Sequence, residues 1–234
     1  MWQRIRAELH PRGVEIVTVA LDLDPEAARP WIEQSGAEHP QLVDTAHALD
    51  ELLGFVNVPM AVWVDEDQMI VRPAEVATVA RSEFRDVELP EGLPDQVYEM
   101  MDEVRRIPEP DPDRYVAALT DWAERGADSE HAMSPEEVVA ASAPRPFDEA
   151  EAAARFELGQ HLHHAGFADD ARRHFREAHR LQPDNWTYKR NAWELVSPGV
   201  QGPTEHYEGD WLTDIRSLTP ERYYPRTSWH GDTT

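Results

Sequence analysis

The chain from Met1 to Pro73 alternates between stretches with helical spacing and short apolar runs. Trp2, Ile5 and Leu9 fall three and four residues apart, as on one face of a helix, until a proline and a glycine end the pattern by residue 13. Residues 14–21 then read Val-Glu-Ile-Val-Thr-Val-Ala-Leu. This β-branched, mostly apolar run predicts a strand that is buried on both faces of a sheet.

The elements expected after this strand continue the alternation. They are a helix from Pro25 towards Gln34, a short strand over 41–43, a helix over 46–53 that ends at Gly54, and two extended runs, 56–65 and 69–71, joined by a polar turn. The two runs predict a β-hairpin. Alternation of this kind is typical of an α/β domain whose helices cover a central sheet.

Between residue 95 and the linker at 143–146 the sequence predicts helices. Apolar residues recur at helical spacing from Val97 to Ile107 and again from Tyr115 to Trp122. Ser134 is a good N-cap for a further helix, because a proline and two glutamates follow it. Residues 143–146 are predicted to be a linker.

Composition excludes several classes of function. The chain has no cysteine, so it holds no disulfide, no thiolate nucleophile and no cysteine-ligated metal or iron–sulfur cluster. Its 22 basic and 46 acidic residues give a formal net charge of −24, which repels phosphate backbones and anionic lipids. Nucleic-acid and membrane partners are therefore not expected. The first residues lack the apolar run of a signal peptide, so a cytoplasmic location is predicted.

Three segments within 2–73 resemble the thioredoxin-like family, in particular its branch of peroxiredoxins and ResA-type thiol–disulfide reductases. The segments are Gly13–Asp22, the Gly-Phe-Val-Asn-Val-Pro stretch of 54–59, and the hairpin of 61–73. The Val58-Pro59 step matches the position where that family has a cis-proline beside its redox dithiol. The resemblance implies that Val58 and Pro59 bind the backbone of an extended substrate.

The same resemblance implies that the redox motif lies upstream of Met1, together with the first strand of the sheet. Two explanations stay open. In one, the reading frame is truncated, because actinobacterial ResA-like relatives replace a motif cysteine by selenocysteine, whose UGA codon is normally read as a stop. In the other, the chain is a non-catalytic relative that binds proteins. An exposed sheet surface would then favour a homodimer or aggregation.

A second resemblance covers 152–185, a stretch that is similar in length and pattern to one tetratricopeptide repeat. Small residues stand where two antiparallel helices approach, and Gly166 stands at the turn between them. Five apolar residues are expected to form the buried faces: Phe156, Leu158, Leu162, Phe175 and Leu181. One repeat cannot bury its apolar face alone, so a capping helix is expected over 186–195.

The remaining candidates for a functional role are the histidines and the aromatic residues near the C-terminus. Eleven histidines include a cluster at 161–164, but their spacing lacks an acidic partner, so no metal site and no cofactor are predicted. His10, His39 and His47 are expected in loops or helix caps. The aromatic stretch from Trp186 to Tyr224 is expected to pack back onto the protein, with a binding surface as the alternative, and residues from Thr227 onward are expected to be frayed.

Together these observations predict an α/β fold: an incomplete thioredoxin-like sheet followed by an α-helical region with one tetratricopeptide-like hairpin. The predicted domains are 1–94, a helical connector over 95–145, the hairpin with its capping helix over 146–196, and a tail over 197–234. The expected function is that of a thiol–disulfide or selenol oxidoreductase, with a protein or a small thiol or disulfide as substrate. The chain as given would be inert. The alternative is a non-catalytic interaction module that uses the hairpin and the tail.

Overall fold

The structure, a computed structural model, describes residues 1–142, 144–196, 209–224, 227 and 229. Within these ranges the chain is mixed α/β, as predicted. Its helices and strands are, in chain order, α1 (Trp2–Leu9), β1 (Thr18–Leu21), α2 (Pro25–Ser35), β2 (Gln41–Asp44), α3 (Ala48–Leu53), β3 (Met60–Val64), β4 (Ile70–Val76), α4 (Asp95–Arg106), α5 (Pro112–Arg125), α6 (Pro135–Ser142), α7 (Phe147–His164), α8 (Ala168–Leu181), α9 (Trp186–Val196), α10 (Trp211–Ser217) and α11 (Pro220–Tyr223).

The chain divides into two compact units. Unit 1 consists of Met1–Arg81, Pro110–Pro144 and Arg226–Thr234, and unit 2 consists of Ser82–Glu109 and Arg145–Pro225. Each unit therefore combines separate stretches of the chain, whereas the predicted domains follow one another in sequence. Ala143, in the predicted linker, and most of the stretch between α9 and α10 lie outside the described residues.

Unit 1 contains two small sheets. Strands β1 and β2 are parallel, with Thr18 opposite Gln41, and strands β3 and β4 are antiparallel, with Met60 opposite Val76. The carboxylate of Asp65 stabilises the hairpin turn, because it accepts hydrogen bonds from the backbone of the next residues. The predicted hairpin is therefore present, with a longer second strand than the sequence indicated.

Strand β1 departs from the prediction that it is buried on both faces. All four of its residues are only half-buried. The reason is that β1 pairs with β2 alone in the part of the chain that the structure describes. The core of unit 1 lies instead between α1, the hairpin and α5, around a cluster of buried residues that comprises Ile5, Leu9, Trp63, Val71, Ala77, Val79, Tyr115, Ala118, Leu119 and Trp229.

Local capping fixes where several helices begin. The Asp24 carboxylate accepts a hydrogen bond from the backbone N–H of Glu26 at the start of α2. Ser134 and Glu137 bond reciprocally to each other's backbone N–H groups, and so form a capping box before α6. The predicted N-cap role of Ser134 is thus confirmed.

Unit 2 is built on the antiparallel pair α7 and α8. Gly166 adopts a left-handed backbone with φ of 87° in the turn between these helices, a conformation that favours glycine. The backbone of α7 lies so close to the Phe175 ring at Gly159 that a Cβ atom there would be 2.6 Å from the ring. Helix α9 packs on the pair through Tyr188, whose ring stacks on Phe156 with 4.3 Å between centroids.

One predicted core residue of the hairpin is exposed. Leu158 keeps 42% of its surface accessible, while Phe156 and Phe175 are buried. The cause is the helical period, since residue 158 projects from the side of α7 opposite to the buried residues Ala152, Phe156 and Gly159. Two further predicted core residues, Leu162 and Leu181, pack against the cluster while staying partly exposed.

The segment after α9 belongs to unit 2 through α10 and α11. Arg216 on α10 donates hydrogen bonds to the carboxylates of Glu99 and Glu103 on α4. Lys189 Nζ on α9 lies 3.1 Å from Oδ2 of Asp214 on α10. Among the helices described here, none is both long enough and apolar enough to cross a bilayer.

Candidate functional site

The predicted substrate-binding residues lie in the segment that joins α3 to β3. Helix α3 ends at Gly54, which adopts a left-handed backbone, and the chain then runs to the start of β3 at Met60. Val58 and Pro59 are exposed in this segment, and the peptide bond between them is cis. They therefore form an exposed lip directly before a strand of the hairpin.

A side chain of the same segment engages the backbone of this lip. The N–H of Val58 donates a hydrogen bond to Oδ1 of Asn57, with 2.9 Å between the atoms. Asn57 itself is buried. A substrate backbone that used the Val58 N–H would have to displace this amide oxygen, so Asn57 controls one of the polar groups that the lip offers.

Two more buried polar side chains lie near the lip in sequence. His47 and Asp50 each keep only 2% of their surface accessible, at the start of α3. His47 has a left-handed backbone with φ of 56°, which is uncommon for a residue other than glycine. Buried polar groups and unusual backbone conformations concentrate at functional sites, so His47 and Asp50 join the candidate residues.

Burial keeps the His47 imidazole neutral at physiological pH. Loss of water around the ring lowers the pKa of His47 to about 4, although the Asp44 carboxylate acts in the opposite direction. His47 occupies the N-cap position of α3, as expected for a cap residue, while the side-chain bond to the first turn comes from Asp44, whose Oδ2 accepts from the N–H of Leu49. Sequence reasoning missed the burial of His47, since a lone histidine after a strand carries no local signal of it.

The lip holds no nucleophile for disulfide exchange. Exchange needs a thiolate or selenolate that attacks a sulfur atom, and the chain contains no cysteine. In the described part of the chain, no three histidine, aspartate or glutamate side chains are grouped so that they could hold a metal ion. The rings of His163 and His164 on α7 contact each other edge to face.

The two sheets of unit 1 leave strand edges open beside the same core. Strand β1 pairs only with β2 and strand β3 only with β4 within the described ranges. Yet Val14 and Ile16, just before β1, and Ala61 on β3 all pack against one apolar cluster. An edge strand presents unpaired backbone groups to which a further strand can be added.

A buried ion pair lies on the hairpin beside this core, and the sequence did not predict it. The guanidinium of Arg72 donates two hydrogen bonds to the Glu75 carboxylate, at 2.7 and 2.6 Å, and lies 5.2 Å from the ring centre of Trp63. Burial raises the pKa of Glu75 above its ordinary value, against the opposing effect of Arg72. Arg72 is fully buried, which a charged residue tolerates only with such partners.

In unit 2 the aromatic residues of the C-terminal stretch are mostly buried. Trp186, Trp193, Trp211 and Tyr223 belong to its core cluster, whereas Tyr207 lies outside the described residues. Lys189 is also buried, with its Nζ 4.5 Å from the ring centre of Trp186, and burial lowers the pKa of this amine. These side chains hold unit 2 together and do not present an aromatic surface to a partner.

No family model matches the chain, and neither a curated protein nor a solved structure matches it. The resemblances of residues 2–73 and 152–185 therefore stay predictions. The geometry of the lip and of the open strand edges is the basis on which a function is proposed.

Proposed function

We propose that unit 1 is the polypeptide-binding part of a thioredoxin-like thiol–disulfide or selenol oxidoreductase. Val58 and Pro59 contact the backbone of the substrate in this proposal. The redox-active cysteine or selenocysteine lies on a segment outside the 234 residues, because the sequence itself contains no thiol. The chain alone then binds without turning over substrate.

The pairing of the strands carries this proposal. A parallel pair, β1 with β2, and an antiparallel pair, β3 with β4, lie in one unit. Val14 and Ile16, just before β1, pack against the same apolar cluster as Ala61 on β3. In this proposal one extended strand, supplied by the missing segment, pairs with β1 and β3 and joins the four strands into one sheet. This arrangement agrees with the order of elements that the family resemblance implies, and it supports an additional strand as a partner of the unit.

The decisive experiment uses the genomic sequence that precedes the Met1 codon. The extended frame is expressed with UGA translated as selenocysteine, beside the chain that starts at Met1, and both proteins are assayed for dithiothreitol-dependent reduction of insulin. We expect turnover from the extended protein only, and loss of turnover when its redox residues are replaced by serine. An unrelated upstream sequence, or an inactive extended protein that is folded, contradicts the proposal and leaves the non-catalytic interaction module.

The role of the lip is tested separately in the extended protein. Val58→Arg places a long charged side chain on the lip, whereas Val64→Arg changes a valine of similar exposure, 44% against 41%, at the far end of β3. We expect the first variant to raise KM for a protein disulfide and the second to leave it unchanged. Equal effects of the two variants would remove Val58 from the substrate site.

A further inference from the structure

Trp229 lies in the core of unit 1, far along the chain from the residues that surround it. Only 8% of its surface is accessible. The rings of Tyr115 and His131 meet the indole edge to face, with centroids 6.2 and 5.7 Å away. The expectation that residues from Thr227 onward are frayed is therefore wrong for Trp229.

Two guanidinium groups lie against the same indole ring. Cζ of Arg72 is 5.0 Å and Cζ of Arg114 is 4.9 Å from the ring centre of Trp229. Cations are attracted to the electron-rich face of an aromatic ring, and the indole is the strongest acceptor among side chains. The site thus selects an electron-rich ring rather than an aliphatic group of similar size.

The walls of this site are held by bonds in which Trp229 takes no part. The Glu75 carboxylate and the backbone oxygen of His131 fix Arg72. The hydroxyl of Tyr115 accepts a hydrogen bond of 2.9 Å from the indole N–H of Trp63. Side chains that are already held in place lose little conformational freedom when a ring binds between them, so the residues around Trp229 are preorganised.

A second contact holds the same segment two residues earlier. The hydroxyl of Thr227 donates to the backbone oxygen of Val76, the last residue of β4, at 3.4 Å. Val76 lies opposite Met60 in the hairpin, so this contact is one strand away from the start of β3.

We infer that unit 1 carries a receptor site for the tryptophan side chain of a polypeptide with a Thr-x-Trp pattern. Thr227 and Trp229 are the resident ligands of this site within the chain. A second polypeptide with tryptophan at the matching position competes with it. Arg72 and Arg114 supply the selectivity for the indole. The backbone oxygen of Val76 accepts a hydrogen bond from the threonine hydroxyl two residues before the tryptophan.

The first experiment uses the full chain with Trp229→Ala and a synthetic peptide with the sequence of residues 225–234, labelled for fluorescence anisotropy. We expect saturable binding to this variant, and affinity at least about tenfold lower for a peptide with alanine in place of its tryptophan. The unaltered chain should bind the tryptophan peptide at least about tenfold more weakly, because its own tethered segment has a millimolar effective concentration. Equal binding of both peptides, or equal binding by both proteins, overturns the inference.

A matched pair of substitutions tests the cation on the ring. Arg114→Met and Arg125→Met both remove a guanidinium from α5, but only the former faces Trp229. In the Trp229→Ala background we expect the Arg114 change to weaken peptide binding severalfold and the Arg125 change to have no effect. The same loss from both changes would assign the attraction to general charge and refute the site.

A measurement on the unaltered chain guards against misfolding of the alanine variant. The chain is labelled with 5-fluorotryptophan, and the Trp229 resonance is assigned with Trp229→Phe. Excess tryptophan peptide should produce a second Trp229 resonance at the position of a solvent-exposed indole, while the alanine peptide produces none. The peptide is added to about 10 mM, several times the effective concentration of the tethered segment. If only one, unshifted Trp229 resonance is seen, the peptide does not replace Trp229 and the inference is refuted.

Discussion

Replacing Gly159 by alanine should destabilise unit 2, although alanine is the better helix former. The added methyl group would lie 2.6 and 2.7 Å from two ring carbons of Phe175, where ordinary carbon contacts are about 3.5–4.0 Å. The ring must therefore retreat by about 1 Å. It has no free space on its other side, because Phe175 is buried and its ring contacts Phe156.

The expected size follows from two opposing terms. Overpacking of a filled core costs about 1–3 kcal/mol. Alanine in place of glycine stabilises the interior of a helix by about 1 kcal/mol. Because the close contacts fall on a buried ring, the cost belongs in the upper part of its range. We expect a net loss of about 1–2 kcal/mol in the free energy of unfolding.

A double-mutant cycle with Phe175→Leu isolates the close contact. Leucine removes the ring carbons that the methyl group meets, so Gly159→Ala should become neutral or stabilising by up to about 1 kcal/mol in that background. The free energies are measured by urea unfolding followed by far-UV circular dichroism. If Gly159→Ala has the same effect with Phe175 and with leucine, or stabilises the unaltered chain, the packing argument fails.

Three further predictions concern single sites. The pKa of His47 is about 4 in the folded chain against an ordinary 6.5, so the unfolded chain binds the proton first; stability is complete above pH 6.5 and falls by about 3 kcal/mol towards pH 4. Urea unfolding across this pH range should show a smaller loss of stability in His47→Asn, since asparagine tolerates the left-handed backbone at this position. The loss of stability should persist in His10→Asn, which changes an exposed histidine. Arg72→Met should cost about 3–5 kcal/mol because it leaves the buried Glu75 carboxylate without its cation, and Glu75→Gln in the same chain should recover most of that loss in the same assay. Ser134→Ala removes the capping box before α6 and should cost about 1 kcal/mol, measured by thermal unfolding, with no loss expected if that helix is held by packing alone.

The sequence predicted those elements whose signals are local. The helices around Val97 and Tyr115 follow from apolar residues three and four apart, and Ser134 follows from capping chemistry that acts over three residues. The α/β class of the segment from Met1 to Pro73 also follows from local patterns. Such features need no knowledge of which elements meet in space.

Burial was harder to predict than the elements themselves. The apolar run before residue 21 resembles a strand between two layers, but the number of its neighbours depends on pairing with remote segments. For Leu158 the repeat pattern indicated a core position, while the helical period places it opposite Phe156. At Leu158 the helical period, and not the repeat pattern, agrees with the observed exposure.

The sequence could predict the lip but not the long-range contacts of unit 1. Val58 and Pro59 follow from a motif of adjacent residues, Gly54 to Pro59. The ring of Trp229 against Arg72 joins positions in distant parts of the sequence, and one sequence contains no signal that would pair them. A buried arginine is also the opposite of what residue type alone predicts.

The interleaving of the two units has a consequence for synthesis on the ribosome. Unit 2 begins at Ser82 but includes the chain as far as Pro225, and unit 1 begins at Met1 but includes Trp229. Neither unit has all of its parts until nearly the whole chain has left the exit tunnel. Nascent chains of every intermediate length must therefore keep apolar helices and open strand edges from aggregating, which is a task for chaperones that bind during translation.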